Sequence, residues 1–261
     1  MEATTSDGIT LHYDDTGSGD PALVFVHGWC CNRTHWRGQA PHFSRDHRVI
    51  ALDQRGHGES DKPDQDYSVA GFVDDLAWFI RKLGLDRSVV IGHSMGGVIA
   101  LNLARKHPAL TRAIVMIDAP ATPLPPALQP VADATIAAMQ TPAYAGVAEG
   151  FVRMQMFNAD SPPDLADEIA GGMAQAPQRL MYTAIADTVS EHNMIPGPLP
   201  VPALYIRAAT NFAAPAEQAE RYPGIEVATV DAAHFLQIEK PAETNAIIEK
   251  FVAKVTAGAP A

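Results

Sequence analysis

A serine flanked by glycines is the clearest candidate for chemistry in this sequence. The segment Gly92-His93-Ser94-Met95-Gly96 fits the pattern G-x-S-x-G and lies between an apolar run and a helical pattern. A sharp turn at such a place lifts a serine off the end of a strand, and it leaves the N-terminus of the helix facing the reacting centre. The pattern therefore predicts that Ser94 is a nucleophile.

The elements around this serine follow a regular order. Apolar runs at 23–26, 49–52, 89–91, 114–117, 203–206 and 227–230 have the length of strands and stop at polar or glycine-containing turns. Helical patterns occur at 67–83, at 95–106 and near the C-terminus. Continuously apolar strands are typical of a sheet covered on both faces. We therefore expect an α/β fold with a mostly parallel central sheet and helices on both faces.

Residues 119–200 interrupt this order. Proline-rich stretches bound the segment, the pattern between them is helical, and six of the nine methionines fall within it. We interpret it as an inserted helical cap, with residues 1–118 and 201–261 forming the core. Met154 and Met156 offer flexible apolar walls for a substrate. The alternative, that the methionines are simply the core of the cap, carries equal weight.

Four motifs in this order resemble those of the alpha/beta hydrolase fold family, in the group of small serine esterases. They are His27-Gly28-Trp29, the turn from Asp53 to Ser60, the serine motif with Gly97, and Ala233-His234-Phe235-Leu236. The resemblance covers nearly the whole chain and implies a nucleophile elbow, a catalytic triad and an oxyanion hole.

The resemblance also assigns roles to individual residues. The backbone N–H groups of Trp29 and Met95 would form the oxyanion hole, and the indole of Trp29 would line the pocket. His234, between the last strand and the last helix, would be the general base. His57 and His93 are expected to be packed residues instead, because a base must reach the serine hydroxyl.

The triad acid departs from the family pattern. Family members usually carry Asp where this chain has Asn211, and a neutral amide does not stabilise an imidazolium as a carboxylate does. Asp118 ends the strand that follows the nucleophile strand, and some haloalkane dehalogenases of this fold have their acid at the end of that same strand. We therefore predict that Asp118 is the acid and that Asn211 is a bystander. Asp231 is a poor rival because it shares the loop of His234.

Composition and charge narrow the range of partners. The chain has 261 residues and a formal net charge of −11, so its surface should not bind nucleic acid. No apolar stretch reaches the roughly 18 residues of a membrane span, and we expect no membrane partner and no signal peptide. The only two cysteines, Cys30 and Cys31, are adjacent, which fits a reducing, cytoplasmic location. The oligomeric state stays open.

The sequence favours one function over two alternatives. We expect a serine hydrolase that cleaves a carboxylic ester, or a related acyl bond, of a small and partly apolar substrate through an acyl-enzyme on Ser94. No metal and no cofactor are expected, because neither ligand spacing nor a nucleotide-binding fingerprint is present. The alternatives are a cofactor-independent oxygenase or peroxidase of the same fold, and a non-hydrolytic small-molecule receptor.

Overall fold

The chain folds around one eight-stranded sheet. The computed structural model describes residues 1–85, 87–211 and 213–257. The strands are β1 (Glu2–Thr4), β2 (Thr10–Thr16), β3 (Leu23–Val26), β4 (Val49–Leu52), β5 (Ser88–His93), β6 (Thr111–Ile117), β7 (Ala203–Ala208) and β8 (Glu226–Val230). Their order in the sheet is β1-β2-β4-β3-β5-β6-β7-β8. Strands β3 to β8 pair in parallel, which confirms the predicted fold class.

The described helices connect these strands or cover the sheet. They are α1 (Ala40–Phe43), α2 (Val69–Lys82), α3 (Met95–Lys106), α4 (Gln129–Ala138), α5 (Tyr144–Gln155), α6 (Pro163–Met173), α7 (Gln178–Thr188), α8 (Pro215–Arg221), α9 (Leu236–Glu239) and α10 (Pro241–Ala257). None of them combines the length and the apolar composition that crossing a bilayer requires.

The first two strands are the part of the sheet that the apolar runs did not indicate. Strand β1 pairs antiparallel with β2, and β2 pairs antiparallel with β4. In β2 only Leu11 and Tyr13 are buried, and their neighbours are partly or fully exposed. A strand with one face in water alternates apolar and polar residues, so it contains no continuous apolar run.

The inner parallel strands contain continuous apolar runs because they separate two cores. Along β3, Val24 and Val26 face the core beneath α2 and α3, whereas Leu23 and Phe25 face the core beneath α1 and α10. Successive side chains of a strand point to opposite faces, so a sheet covered twice must be apolar at every position. This packing fixes the carboxyl ends of the strands, from which the candidate site is built.

The segment that the sequence predicts as a cap contains α4 to α7. Five of its six methionines are buried: Met139, Met156, Met173, Met181 and Met194. These side chains therefore fill the interior of the segment. The division into a core of 1–118 and 201–261 and a cap of 119–200 stays a prediction, and residues 258–261 lie outside the described part of the chain.

Candidate active site

Ser94 occupies the turn between β5 and α3 in a strained backbone conformation. Its φ and ψ angles are 52° and −120°, a region that residues other than glycine rarely adopt. The strained turn is held from both sides, since Ser94 N donates to Ile117 O at 2.8 Å and Gly97 N donates to Ser94 O at 2.9 Å. A Cβ atom at Gly92 would lie 2.0 Å from the carbonyl oxygen of Gly96. Strand and helix thus approach so closely that only glycine fits.

The loop after β3 runs directly past the serine. A Cβ atom at Gly28 would lie 3.2 Å from Ser94 Cβ, which puts the next residue, Trp29, beside the elbow. Neither Trp29 N–H nor Met95 N–H donates to another backbone group within residues 1–85, 87–211 and 213–257. The Met95 N–H also belongs to the first turn of α3, where the helix dipole favours negative charge. Both donors are free to hold an oxyanion.

The predicted acid and the predicted base are in direct contact. His234 Nδ1–H donates to Asp118 Oδ2 at 2.7 Å, and the two side chains are 17% and 7% exposed. Asp118 follows β6 immediately, and its backbone amide donates to Ile206 O at 2.7 Å. A proton on Nδ1 leaves Nε2 of the imidazole as an acceptor. The contact therefore presets the tautomer that a general base needs.

The second oxygen of Asp118 has partners of its own. Asp118 Oδ1 accepts hydrogen bonds from Ala208 N at 2.9 Å and from Asn211 Nδ2 at 2.8 Å. Asn211 was expected to be a bystander, but the structure places its amide on the acid. Sequence reasoning missed this contact because it joins residues 93 positions apart on two different strand ends. The substitution of Asn for the usual Asp was the one signal that pointed to this position.

His93 supports the loop of the base. Its Nε2 lies 2.9 Å from the carbonyl oxygen of His234, so Nε2 carries the proton and donates. The two rings pack with their centroids 4.7 Å apart. Burial lowers the pKa of His93 well below its ordinary value, which keeps the ring neutral. His93 is thus a packed neighbour of the elbow.

Two other histidines of the sequence motifs are also neutral and buried. Burial lowers the pKa of both His27 and His57 to about 3. Their rings pack with centroids 4.8 Å apart, and His27 Nε2 accepts a hydrogen bond from Gln54 N at 3.1 Å. This packing is consistent with the structural role expected for His57.

Residues of the cap segment contact this site directly. His234 N donates to Met156 O at 3.2 Å, and Trp29 Nε1–H donates to Met181 O at 2.9 Å. Met156 is buried beside the histidine loop, whereas the Met154 side chain is 77% exposed. Met154 faces solvent, so of the two predicted wall residues only Met156 contacts the site, through its backbone oxygen.

In the described part of the chain, no metal site competes with this arrangement. Within the described residues, no three His, Cys, Asp or Glu side chains lie close enough together to hold a metal ion. Cys30 and Cys31 are both buried and free, and burial raises the pKa of the Cys31 thiol to about 12. Buried thiols with raised pKa values are poor nucleophiles, so neither cysteine rivals Ser94.

Comparisons with known proteins identify the family. A family model described as alpha/beta hydrolase fold matches residues 21–148. The structure of a thermophilic esterase from Thermogutta terrifontis superimposes with a TM-score of 0.84 and 24% identity over 98% of this chain and 99% of that one. The chain belongs to the alpha/beta hydrolase fold family, as its four motifs indicate.

Curated relatives match over shorter stretches. Bifunctional epoxide hydrolase 2 of Sus scrofa is 37% identical over 127 residues, which are 48% of this chain and 23% of that enzyme. The 2-(acetamidomethylene)succinate hydrolase of Mesorhizobium japonicum is 39% identical over 110 residues, 42% of this chain and 39% of that enzyme. The chain thus spans well under half the length of these relatives.

Proposed function

We propose that this protein is a hydrolase, and more specifically a serine hydrolase that cleaves a carboxylic ester through an acyl-enzyme on Ser94. The observation that carries the proposal is the 2.7 Å hydrogen bond from His234 to Asp118, formed at the same edge of the sheet as the strained turn of Ser94. An oriented imidazole at the sheet edge that carries a partly exposed serine is the arrangement that would activate a hydroxyl nucleophile.

In the proposed mechanism the protons move through His234. Its Nε2 takes the proton of Ser94 Oγ while the oxygen attacks the ester carbonyl, and the N–H groups of Trp29 and Met95 receive the oxyanion. The imidazolium then gives its proton to the leaving alcohol, and an acyl-enzyme remains. A water molecule, deprotonated by His234, attacks the acyl group and releases the acid and Ser94. Asp118 stabilises the imidazolium in both halves of the reaction.

The surroundings of the site favour a small, partly apolar substrate. The Trp29 ring packs edge-on against Phe151 with centroids 6.1 Å apart, and Phe157 stacks on Phe235 at 5.3 Å. These aromatic side chains come from the cap segment and from the loops that carry the oxyanion donors and His234. Apolar walls with a few polar groups at the reacting centre are typical of sites for small organic ligands.

The similarity to an epoxide hydrolase does not extend to the proposed chemistry at Ser94. If a serine oxygen opened an epoxide, the product would be an ether on the enzyme, which an activated water does not hydrolyse. An ester substrate instead gives an acyl-enzyme with an electrophilic carbonyl, which water can attack. The serine nucleophile therefore favours acyl transfer.

The two alternatives make different demands on the acid–histidine pair. A receptor gains nothing from holding a buried carboxylate against an imidazole, and burying such charge costs stability. A cofactor-independent oxygenase or peroxidase would use His234 as a base on the substrate and would need no covalent bond to Ser94. Covalent capture at Ser94, together with ester turnover, separates the three possibilities.

The test uses a fluorophosphonate probe and p-nitrophenyl esters of increasing acyl length. We expect the probe to label the protein and the shorter esters to be hydrolysed. The Ser94→Ala variant should lose labelling, and its turnover should fall by about 10⁴ or more. The matched control is Ser44→Ala in the turn after α1, which should behave like the unchanged protein. Labelling that survives Ser94→Ala, or an unchanged protein that turns over no ester, would contradict the proposal.

A further inference from the structure

We propose that Asn211 is a positioning residue that holds the carboxylate of Asp118 in the orientation that serves His234. The inference rests on the proposed function, because it gives Asp118 a catalytic partner to serve. It reverses the usual role of this position after β7, which supplies a supporting amide here instead of the acid.

The two carboxylate oxygens of Asp118 accept hydrogen bonds from different partners. Oδ1 accepts from Asn211 Nδ2 at 2.8 Å and from Ala208 N at 2.9 Å, whereas Oδ2 accepts from His234 Nδ1 at 2.7 Å. The backbone of Asp118 has a φ of 42°, a strained value that the surroundings must maintain. The two donors on Oδ1 prevent rotation of the carboxyl group and aim Oδ2 at the imidazole.

Asn211 is itself fixed, so its amide has one good orientation. Its Oδ1 accepts from Ala213 N at 2.9 Å, its Nδ2 also reaches the hydroxyl oxygen of Tyr205 at 3.3 Å, and its backbone carbonyl accepts from Arg207 Nη2 at 2.6 Å. Rotating the amide by half a turn would set its oxygen against Asp118 and its NH₂ group against the Ala213 N–H. Both contacts would be repulsive, so the hydrogen-bond network assigns the donor to Asp118.

The neutral charge of this side chain matters as much as its geometry. An aspartate in the same place would set a second carboxylate within hydrogen-bond distance of Asp118, and like charges that close share a proton instead of both ionising. An amide supplies a donor and adds no charge. If Asp118 is the catalytic acid, a neutral donor such as Asn211 therefore suits this position better than a second carboxylate.

The isosteric substitution Asn211→Asp separates the donor from the structural role. It keeps the oxygen that accepts from Ala213 N, and it replaces the NH₂ donor by an oxygen. We expect kcat for p-nitrophenyl butyrate to fall about tenfold or more at neutral pH, which corresponds to about 1.4 kcal/mol or more, with KM changed less than about threefold. Asn211→Ala should lower kcat in the same direction. Thr210→Asp, which adds a carboxylate to the exposed position before it, is the matched control and should keep kcat.

A second readout does not depend on ester turnover. The proton between His234 Nδ1 and Asp118 Oδ2 should give a far-downfield proton NMR signal, which its loss in His234→Gln would assign. We expect this signal to broaden or move upfield in both Asn211 variants and to stay in Thr210→Asp. If the unchanged protein hydrolyses no ester, the proposed function fails, and this signal still tests Asn211.

Two results would overturn the proposal. In the first, both Asn211 variants keep kcat within about twofold and keep the downfield signal. In the second, kcat falls only in proportion to the folded fraction, measured by thermal unfolding, or both variants lose the folded state. Asn211 would then be a structural residue of its turn and no support for Asp118.

Discussion

An Asp118→Asn substitution exchanges one carboxylate oxygen for an NH₂ group in the centre of the acid–histidine contact. The side chain keeps its size, so the new amide must choose which of its ends faces His234. In the structure, Ala208 N–H and Asn211 Nδ2 both donate toward the position of Oδ1. An amide oxygen satisfies these two donors, so the NH₂ group is directed toward the imidazole.

This orientation gives His234 the wrong tautomer. An NH₂ group facing Nδ1 donates a hydrogen bond, so Nδ1 becomes the acceptor and the ring proton moves to Nε2. A protonated Nε2 cannot take the proton of Ser94. The neutral amide also stabilises the imidazolium poorly when that cation forms.

The donors on Oδ1 set the size of the effect. The opposite amide orientation would restore the correct tautomer, but it would leave two N–H groups without an acceptor, at about 1–3 kcal/mol each. A total penalty of about 2–6 kcal/mol reduces the productive orientation by about 30- to 10⁴-fold. We therefore expect Asp118→Asn to lower kcat by about 10²–10⁴ with folding largely retained.

The assay measures kcat and KM for p-nitrophenyl butyrate, with thermal unfolding as the check on folding. Nitrogen NMR shifts of the His234 ring report the tautomer directly. The control is Asp231→Asn, the same change at an exposed carboxylate of the histidine's own loop. A near-normal kcat in Asp118→Asn, or an Nδ1 that keeps its proton, would refute this reasoning and leave a Ser94–His234 dyad.

The cap segment and the buried histidines give two more predictions. Met156→Ala should change the preference among ester chain lengths because Met156 is buried and its backbone oxygen accepts from His234 N, and Met154→Ala should not because Met154 is exposed. Identical profiles in the two variants would remove Met156 from the pocket wall. His57 has its pKa lowered by burial from 6.5 to about 3, so its contribution to stability is complete above pH 6.5 and is lost as the pH falls from there toward 3. The unfolding free energy should therefore fall by about 2 kcal/mol less between pH 7.5 and pH 5 in His57→Gln than in the unchanged protein. Urea unfolding measures this difference, and His192→Gln at an exposed histidine is the control. An unchanged loss would show that His57 is not the group that titrates.

The parallel part of the fold could be predicted because its strands contain continuous apolar runs. Each of the six apolar runs lies in one strand of the sheet, from β3 to β8, and the strands inside the sheet are buried on both faces. Strand β2 was not predicted because one of its faces is exposed to solvent. Its alternation of Leu11 and Tyr13 with polar residues is too short to distinguish a strand from a loop.

Contacts between residues distant in the sequence were harder to predict than the strands. Motifs ordered along the chain indicated Ser94, His234 and Asp118, because strand ends of a parallel sheet meet at one edge. The role of Asn211 depends on how the turn after β7 folds back toward β6, and no local pattern encodes that path. The exposure of Met154, however, could have been predicted from the sequence. Residues two apart on a helix point to nearly opposite sides, so Met154 and Met156 could not both line one wall.

The backbone angles give an independent reason to place the chemistry at this edge. Of the four described residues other than glycine with positive φ, three lie in the loops after β3, β5 and β6: Cys30, Ser94 and Asp118. Each such conformation costs about 1–3 kcal/mol and persists only where the surroundings over-determine it. The strands before these residues are buried in two cores and paired on both sides, so the sheet can hold three strained turns side by side. A stretch of backbone selected for stability alone would not concentrate strain at three adjacent strand ends, whereas a site that must present an oxyanion donor, a nucleophile and an acid to one point has a use for it.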